Sequence, residues 1–277
     1  MNDKLTLQGV LSAISARSER YSERTQFQLE RLAAETLDSS QDFDRWTPEA
    51  VQEHLQLRLL QRDRLIEFQE NAKTLLDRLG QVGIFSHDIL DLRNLHSLGP
   101  AVEDLLLAEL SRTDYRPLQE AILSVLGSKD VSARVLGPLF EFFENAEEVE
   151  RGDPNGLRWR VLGAIAAHVD GSAAPALIRI ADDQRNGRAR YLAVAALGSL
   201  SSERQELVPK LLGYLQSSDR TLNLPAARAL GRWRYVAAAP RVHELLLEAE
   251  GRRTSAGLET DQDVDWLRKA YMQLSSP

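Results

Sequence analysis

Five Leu-Gly pairs, each with a proline after it, recur through the last two thirds of this chain. Their glycines are Gly99, Gly127, Gly163, Gly198 and Gly231, which are 28, 36, 35 and 33 residues apart. The prolines are Pro100, Pro138, Pro175, Pro209 and Pro240, of which the last four are 37, 34 and 31 residues apart. A self-similar unit of this length is typical of a solenoid, in which stacked units bury a core that no single unit could bury. The spacing therefore predicts an array of repeats.

Each unit is expected to contain two helices. In the best-defined unit, the first helix is rich in small residues and is expected to end at Gly198, where glycine supplies a left-handed conformation. Pro209 then lies in the first turn of a second helix, whose leucines are expected to face the first helix. The units around Gly127, Gly163 and Gly231 follow the same pattern. Residues 86–277 are therefore predicted to form about five two-helix repeats and a C-terminal capping helix over about 263–274.

Residues 1–85 follow a different pattern and are predicted to form a long N-terminal helical hairpin. Its first helix is expected over about 5–37. Thr47 and Pro48 then indicate the start of a second helix, with threonine as the cap and proline at the first helical position. This second helix is expected to end near Gly80. We interpret the hairpin as a cap on the first repeat, and self-association through its long helices is the alternative.

Two polar segments between repeats are interpreted as linkers. Residues 144–156 are acidic and end in the turn-forming sequence Gly-Asp-Pro-Asn-Gly. Residues 250–262 are polar and contain glycine. In a solenoid, insertions of this kind form loops on one face of the array.

The unit that contains Gly198 resembles a known repeat. The segment from Arg190 to Gly198, followed by Val208 to Leu212 and by Asp219, is similar to a HEAT repeat of the bacterial type, a class that includes the repeats of bilin lyases. The resemblance covers about residues 87–274. It implies an all-α, right-handed α-solenoid in which the second helices line the concave face, and it implies no reaction.

The resemblance also implies a particular ion pair. In this family an arginine eight residues before the glycine often pairs with an aspartate in the preceding turn, and Arg190 occupies that position. Gln119, Asn155 and Asn223 occupy it in the other units, so a continuous ladder of such pairs is not predicted.

Composition and motifs exclude several functions. The chain has no cysteine, which excludes disulfides, thiol catalysis and cysteine-bound zinc and favours a reducing compartment. No apolar run approaches the roughly 20 residues that span a bilayer, so a cytoplasmic protein is expected. Neither a glycine-rich phosphate loop nor a Gly-x-Ser-x-Gly nucleophile motif is present. The pair His243-Glu244 resembles an iron-binding motif but occurs once, so no metal, cofactor or catalytic residue is predicted.

The charge is unevenly distributed along the chain. Residues 86–157 carry 6 basic and 14 acidic side chains, whereas residues 158–241 carry 13 basic and 6 acidic ones. The formal net charge of −7 for the whole chain conceals this difference. Such an asymmetry bears on partner choice and association rate rather than on fold.

The expected concave face supplies the candidate binding residues. Its early repeats are acidic and its late repeats basic, which suits a protein or peptide partner of complementary polarity. The candidates are Glu103, Glu141, Glu144, Arg179, Lys210, Arg241 and His243. The chain is therefore predicted to be a non-catalytic interaction scaffold or adaptor that needs no cofactor.

Two alternatives remain open. Arginines interleaved with aromatic residues can bind phosphates and stack on bases, which suggests a nucleic-acid-binding or DNA-repair HEAT-like protein that uses the basic segment 158–241. The residues of this patch are Arg158, Arg160, Arg188, Arg190, Arg232, Trp233 and Arg234. A pI near 5.4 weighs against nucleic acid. The other alternative, a bilin-lyase-like enzyme, requires a chromophore pocket that no sequence feature indicates.

Overall fold

The computed structural model describes residues 48–128, 131–146, 156–256 and 261–275. Within these ranges all regular structure is helical and no residue lies in a β-strand, which confirms the all-α prediction. The chain divides into two compact units, Met1–Lys73 and Thr74–Pro277, so the division falls inside a helix rather than after residue 85. The predicted helix over about 5–37 lies outside the described residues.

The long helix α1 spans Pro48–Gln81, as the sequence predicts. Its 34 residues give a length of about 51 Å. After its last turn the amide of Ile84 donates to the carbonyl of Leu79 at 2.9 Å. Gly83 makes this return possible because its φ of +87° is in the left-handed region that favours glycine. The helix therefore ends at Gln81, and the glycine of its terminal motif is Gly83, three residues after Gly80.

Ten more α-helices follow within the described ranges. They are α2 (Gly99–Arg112), α3 (Arg116–Leu126), α4 (Leu136–Asn145), α5 (Leu157–Ala166), α6 (Ala174–Asp182), α7 (Ala189–Leu197), α8 (Arg204–Leu215), α9 (Arg220–Arg232), α10 (Ala239–Ala256) and α11 (Asp261–Ser275). The helices α3, α5, α7, α9 and α11 are the first helices, and α2, α4, α6, α8 and α10 are the second helices. Four of the five prolines lie in the first turn of a second helix as predicted, whereas Pro209 lies inside α8.

Helix packing repeats along the chain with a regular pattern. Each first helix packs against the next one, from α3 through α5, α7 and α9 to α11. Each second helix packs most closely against the first helix that follows it, as α6 does against α7. The expectation that a second helix mainly faces the first helix of its own unit is therefore wrong. The closely packed hairpin begins with the second helix and ends with the following first helix.

Four of the five glycines of the Leu-Gly pairs do not have the left-handed backbone that was predicted for a helix-ending glycine. Gly127 and Gly198 follow α3 and α7 with φ of −86° and −67°. Gly163 and Gly231 lie inside α5 and α9. Helix termination therefore does not explain why these positions are glycine.

Close packing between first helices explains two of these glycines. A Cβ atom on Gly198 would lie 2.4 Å from Cβ of Ala229 in α9. A Cβ atom on Gly231 would lie 2.9 Å from Cα of Ala270 in α11. Carbon atoms in contact normally stay about 3.5–4.0 Å apart, so neither site has room for a side chain. Gly163 differs, because a Cβ atom added there would have nothing within 4 Å.

The position eight residues before the glycine makes one recurrent contact. A side-chain N–H there donates to a carbonyl at or just beyond the end of the preceding second helix, where carbonyls lack partners within the helix. The pairs are Gln119 with Thr113 at 2.7 Å, Arg190 with Ala181 at 2.8 Å and Asn223 with Ser217 at 2.9 Å. Three different residue types thus perform the same task in three units. Asn155 lies outside the described residues.

Arg190 also forms an ion pair, but with a different aspartate from the one the resemblance implies. Its Nη1 donates to Oδ2 of Asp219 at 2.5 Å. Asp219 is the N-cap of α9 and accepts from the amide of Thr221 at 2.9 Å. The aspartate therefore lies in the turn after the unit of Arg190 rather than in the turn before it.

Three further boundaries differ from the sequence prediction. A 3-10 helix, Ile89–Asn94, replaces the first helix of the first unit, and Gly99 begins α2 with a φ of +68° instead of ending a helix. The predicted linkers are shorter because α4 continues to Asn145 and α10 continues to Ala256. Residues 147–155 and 257–260 of these linkers lie outside the described residues.

Candidate functional site

Glu103, a candidate partner-binding residue, is a buried structural residue instead. It is 2% exposed on α2. Its carboxylate accepts hydrogen bonds from the amide of Ser132 at 2.8 Å and from Nε of Arg134 at 2.6 Å. Burial by itself raises the pKa of Glu103, but the hydrogen bonds from Ser132 and Arg134 outweigh it and leave the pKa below its usual value. Glu103 thus links α2 to the segment before α4 and does not face a partner.

Four other charged residues form a ladder of ion pairs between consecutive second helices. Nη2 of Arg179 on α6 lies 3.8 Å from Oε1 of Glu144 on α4. Nζ of Lys210 on α8 lies 2.8 Å from Oδ2 of Asp182 on α6. The hydroxyl of Tyr214 donates to the other oxygen of Asp182 at 2.9 Å. Glu144 and Arg179, which were expected in the acidic and basic parts of a groove, are therefore paired across neighbouring helices. Lys210 pairs with Asp182, which was not among the candidates. We call Glu144, Arg179, Asp182 and Lys210 the second-helix ladder.

The two candidates on α10 have separate local contacts. Nη1 of Arg241 pairs with Glu244 at 3.0 Å and Glu248 at 3.3 Å on the same helix. Its Nε is buried without a hydrogen-bond partner in the described part of the chain. His243 is exposed, and its ring stacks on Tyr271 with the ring centres 4.8 Å apart. The charge of Arg241 is thus balanced within its own helix.

Two surface clefts flank α4. One has a volume of 740 Å³, and its lining includes Glu141 and Phe142. The other has a volume of 430 Å³, and its lining includes Glu144, Arg179 and Arg185. The structure therefore brings Glu144 and Arg179 together in one cleft and places Glu141 at a different one.

Three residues of the predicted nucleic-acid patch have structural roles. Arg190 and Trp233 are 8% and 7% exposed. Arg158 donates to the carbonyl of Ala146 at 3.1 Å and to the side-chain oxygen of Asn186 at 3.0 Å. The burial of Arg190 and Trp233 removes them from any surface patch. The bonds of Arg158 fix it to the end of α4 and to the turn before α7.

The other four residues of that patch are more accessible. Nε of Arg160 lies 3.0 Å from Oε1 of Glu120, a carboxylate that it shares with Arg116. Arg188, Arg232 and Arg234 keep solvent access. The predicted basic patch therefore reduces to three arginines that have no ion pair with any described residue.

Sequence reasoning missed a cluster of cations and an aromatic ring between α9 and α11, which we call the cationic cleft. Arg228, Arg232, Trp266 and Lys269 line this cleft, whose volume is 260 Å³. Cζ of Arg228 lies 4.1 Å from the centre of the Trp266 ring. Arg228 and Arg232 are four residues apart, and Trp266 and Lys269 three, so each pair shares a helix face. That spacing was a usable signal, but the contact between α9 and α11 was not readable from it.

The positive charge of the cationic cleft is not compensated by the described residues. None of their carboxylates forms an ion pair with Arg228, Arg232 or Lys269. Arg232 keeps solvent access, yet its surroundings remove part of its hydration. This desolvation, and to a smaller extent repulsion from Arg228, lowers the pKa of Arg232 below its usual value.

The described residues contain neither a candidate metal site nor a candidate membrane-spanning helix. No group of three or more His, Asp or Glu side chains there is arranged to hold a metal ion. Among the helices described above, none has both the length and the apolar character that crossing a membrane requires.

No protein-family model, curated protein or solved structure matches this chain. The resemblance to HEAT repeats therefore stays a prediction. Self-association through the N-terminal helices also stays a prediction, because the first of those helices lies outside the described residues.

Proposed function

We propose that this chain is a non-catalytic interaction scaffold, built as a HEAT-like right-handed α-solenoid, which binds a protein or peptide partner through its second helices. The repeated packing of each first helix on the next, from α3 to α11, supports a stacked array. The donor at the position eight residues before the glycine supports the equivalence of the units, because in three of them it reaches a carbonyl near the end of the preceding second helix.

The exposure of the second-helix ladder is the observation on which the binding surface rests. Arg179 and Glu144 are 69% and 68% exposed and their charged atoms are 3.8 Å apart. Exposed ion pairs of this kind contribute only about 0–1 kcal/mol to stability. A partner can therefore replace one member of a pair at little cost. Alternating charges on α4, α6 and α8 would then set the register of an extended partner.

Two triple charge reversals on different faces test this surface. One variant carries Arg179→Glu, Lys210→Glu and Arg241→Glu on the second helices. The matched control carries Arg160→Glu, Arg188→Glu and Arg234→Glu, with the same change in net charge. Immobilised wild-type chain and both variants are used to capture proteins from an extract of the native cell, and the captured proteins are quantified by mass spectrometry.

We expect a partner that is captured by the wild type and the control but depleted on the second-helix variant. Equal capture by all three chains would remove the second helices as the binding surface. Capture that is lost only in the control and abolished by nuclease would support the nucleic-acid alternative. A gel shift with DNA and RNA at two salt concentrations checks that outcome, because phosphate contacts weaken steeply with salt. Circular dichroism confirms that both variants remain helical.

A further inference from the structure

The cationic cleft lies on first helices and is separate from the second-helix ladder. Its three cations have no ion pair among the described residues, whereas each of the two preceding first helices carries an arginine that pairs with a carboxylate of this chain. On α5, Arg160 pairs with Glu120, and on α7, Arg190 pairs with Asp219. Between α9 and α11, Arg220 pairs with Asp263 at 3.9 Å, but no described carboxylate forms an ion pair with Arg228, Arg232 or Lys269. An external anion bound beside Arg228 and Arg232 would therefore offset the repulsion between their charges.

The cleft is partly organised before any anion arrives. Arg228 lies over the Trp266 ring at 4.1 Å, and its Nη1 donates to the hydroxyl of Tyr191 at 2.9 Å. These two contacts fix its guanidinium, whereas Arg232 makes a single long hydrogen bond of 3.5 Å to the carbonyl of Ala195. One cation is thus positioned in advance, and the less constrained Arg232 and Lys269 can close on a ligand.

We propose that Arg228, Arg232 and Lys269 bind the dianionic phosphoryl group of a phosphate monoester. A dianion with several acceptor oxygens neutralises the three cations that line this cleft better than a single carboxylate does. The guanidinium groups provide the paired N–H donors that match phosphate oxygens. A volume of 260 Å³ accommodates one phosphoryl group with part of its carrier.

A phosphodiester polymer fits this cleft less well. Single-stranded nucleic acid is bound along a track of cations with free aromatic faces for the bases. Arg228 already occupies one face of Trp266, and Tyr191 lies with its ring centre 6.5 Å from that of Trp266. The next cation along the first helices, Arg190, is buried. Arg234 and Arg268 share a neighbouring cleft with Lys269, so it is the covered face of Trp266, rather than the extent of the charge, that favours a single terminal phosphate over stacked bases.

Titration of the full chain with defined phosphates tests the proposal. Inorganic phosphate is titrated by calorimetry at constant ionic strength, with chloride as the blank. A peptide with one phosphoserine is titrated beside the same peptide with serine. We expect the phosphorylated probe to bind and the serine peptide not to bind. Arg232→Gln and Lys269→Gln should each weaken binding about tenfold, because each removes a charge-assisted contact.

Arg188→Gln is the matched control, since it removes one exposed positive charge at the N-cap of another first helix, α7. Binding of inorganic phosphate alone would identify a small phosphate ligand, and binding of the phosphoserine peptide would identify a protein-borne one; either supports the site. Absence of both would overturn the proposal, as would equal weakening by Arg188→Gln. Tighter binding of an oligothymidine would also overturn it, in favour of nucleic acid. Partner capture through the second helices is unaffected by Arg232→Gln if the two sites are separate.

Discussion

The substitution Gly198→Ala tests whether close contact between first helices explains the Leu-Gly pairs. The new methyl group would lie 2.4 Å from Cβ of Ala229 and 3.2 Å from its Cα. Since carbon atoms in contact need about 3.5–4.0 Å, α7 and α9 would have to separate by about 1 Å. Nη2 of Arg232, at 2.8 Å, is the end of a flexible side chain and can move away. The steric cost therefore comes mainly from Ala229.

The size of the effect follows from two opposing contributions. Overpacking of a methyl group in a packed interface costs about 1–3 kcal/mol. Replacing glycine by alanine in an allowed backbone conformation returns about 0.4–1 kcal/mol, because the unfolded chain loses freedom. We therefore expect Gly198→Ala to lower the free energy of unfolding by about 1–2 kcal/mol. The same substitution at Gly163, which also follows a leucine but has nothing within 4 Å, should raise it by up to about 1 kcal/mol.

Urea unfolding followed by circular dichroism measures both variants against the wild type. A second test adds Ala229→Gly to Gly198→Ala, which removes the nearest atom of the clash. The double variant should then be more stable than the sum of the single effects predicts, because the two sites interact directly. If Gly198→Ala is as stable as Gly163→Ala, close packing is not the reason for glycine at this position.

Two buried ionic contacts give further predictions. Glu103→Gln should lower the free energy of unfolding by about 1–3 kcal/mol at pH 7. Because the folded pKa of Glu103 lies below its usual value of 4.5, this deficit should persist above pH 4.5 and shrink as the pH falls through the folded pKa, as urea titrations at about pH 7 and about pH 3 would show. Arg190→Lys should cost about 1–3 kcal/mol by losing the contact to Asp219 or to Ala181. Its effect should be strongly non-additive with that of Asp219→Asn in a double-mutant cycle, and additive losses would contradict the pairing.

Helices were the part of the fold that the sequence predicted well. Pro48 at the start of α1 and Pro175 near the start of α6 are local signals. Proline fixes φ and has no amide N–H, and an N–H in the first turn of a helix has no acceptor within that helix. The same local logic failed for Gly198. A helix-ending glycine and a glycine at a helix crossing look alike in sequence, and only the position of Ala229 distinguishes them.

The pairing of helices was harder to predict for a related reason. A two-helix period states how often a unit repeats but not where a unit begins. The helix α6 packs on α7 rather than on α5. This choice depends on which of the two connections of α6 makes the tighter turn, and that is a property of the tertiary structure. Boundaries assigned at the Leu-Gly pairs were therefore displaced by one helix.

Glu103 was expected to be an exposed binding residue because its exposure was inferred from helix position alone. Glu103 occupies a second helix as predicted, but the amide of Ser132 and the guanidinium of Arg134 come from a segment about 30 residues away and enclose it. Trp266 and Lys269 were missed because the capping helix was expected only to close the array. Their chemistry arises from Arg228 and Arg232 on the neighbouring helix.

The charge asymmetry of the sequence acquires a structural explanation from these contacts. Glu120 and Glu144 belong to the acidic segment 86–157, and Arg160 and Arg179 to the basic segment 158–241. The pairs Glu120–Arg160 and Glu144–Arg179 join the two segments directly. Part of the asymmetry therefore reflects ion pairing between adjacent units. The arginines of the basic segment that have no ion pair with a described residue include Arg188 and Arg234, as well as Arg228 and Arg232, which line the cationic cleft.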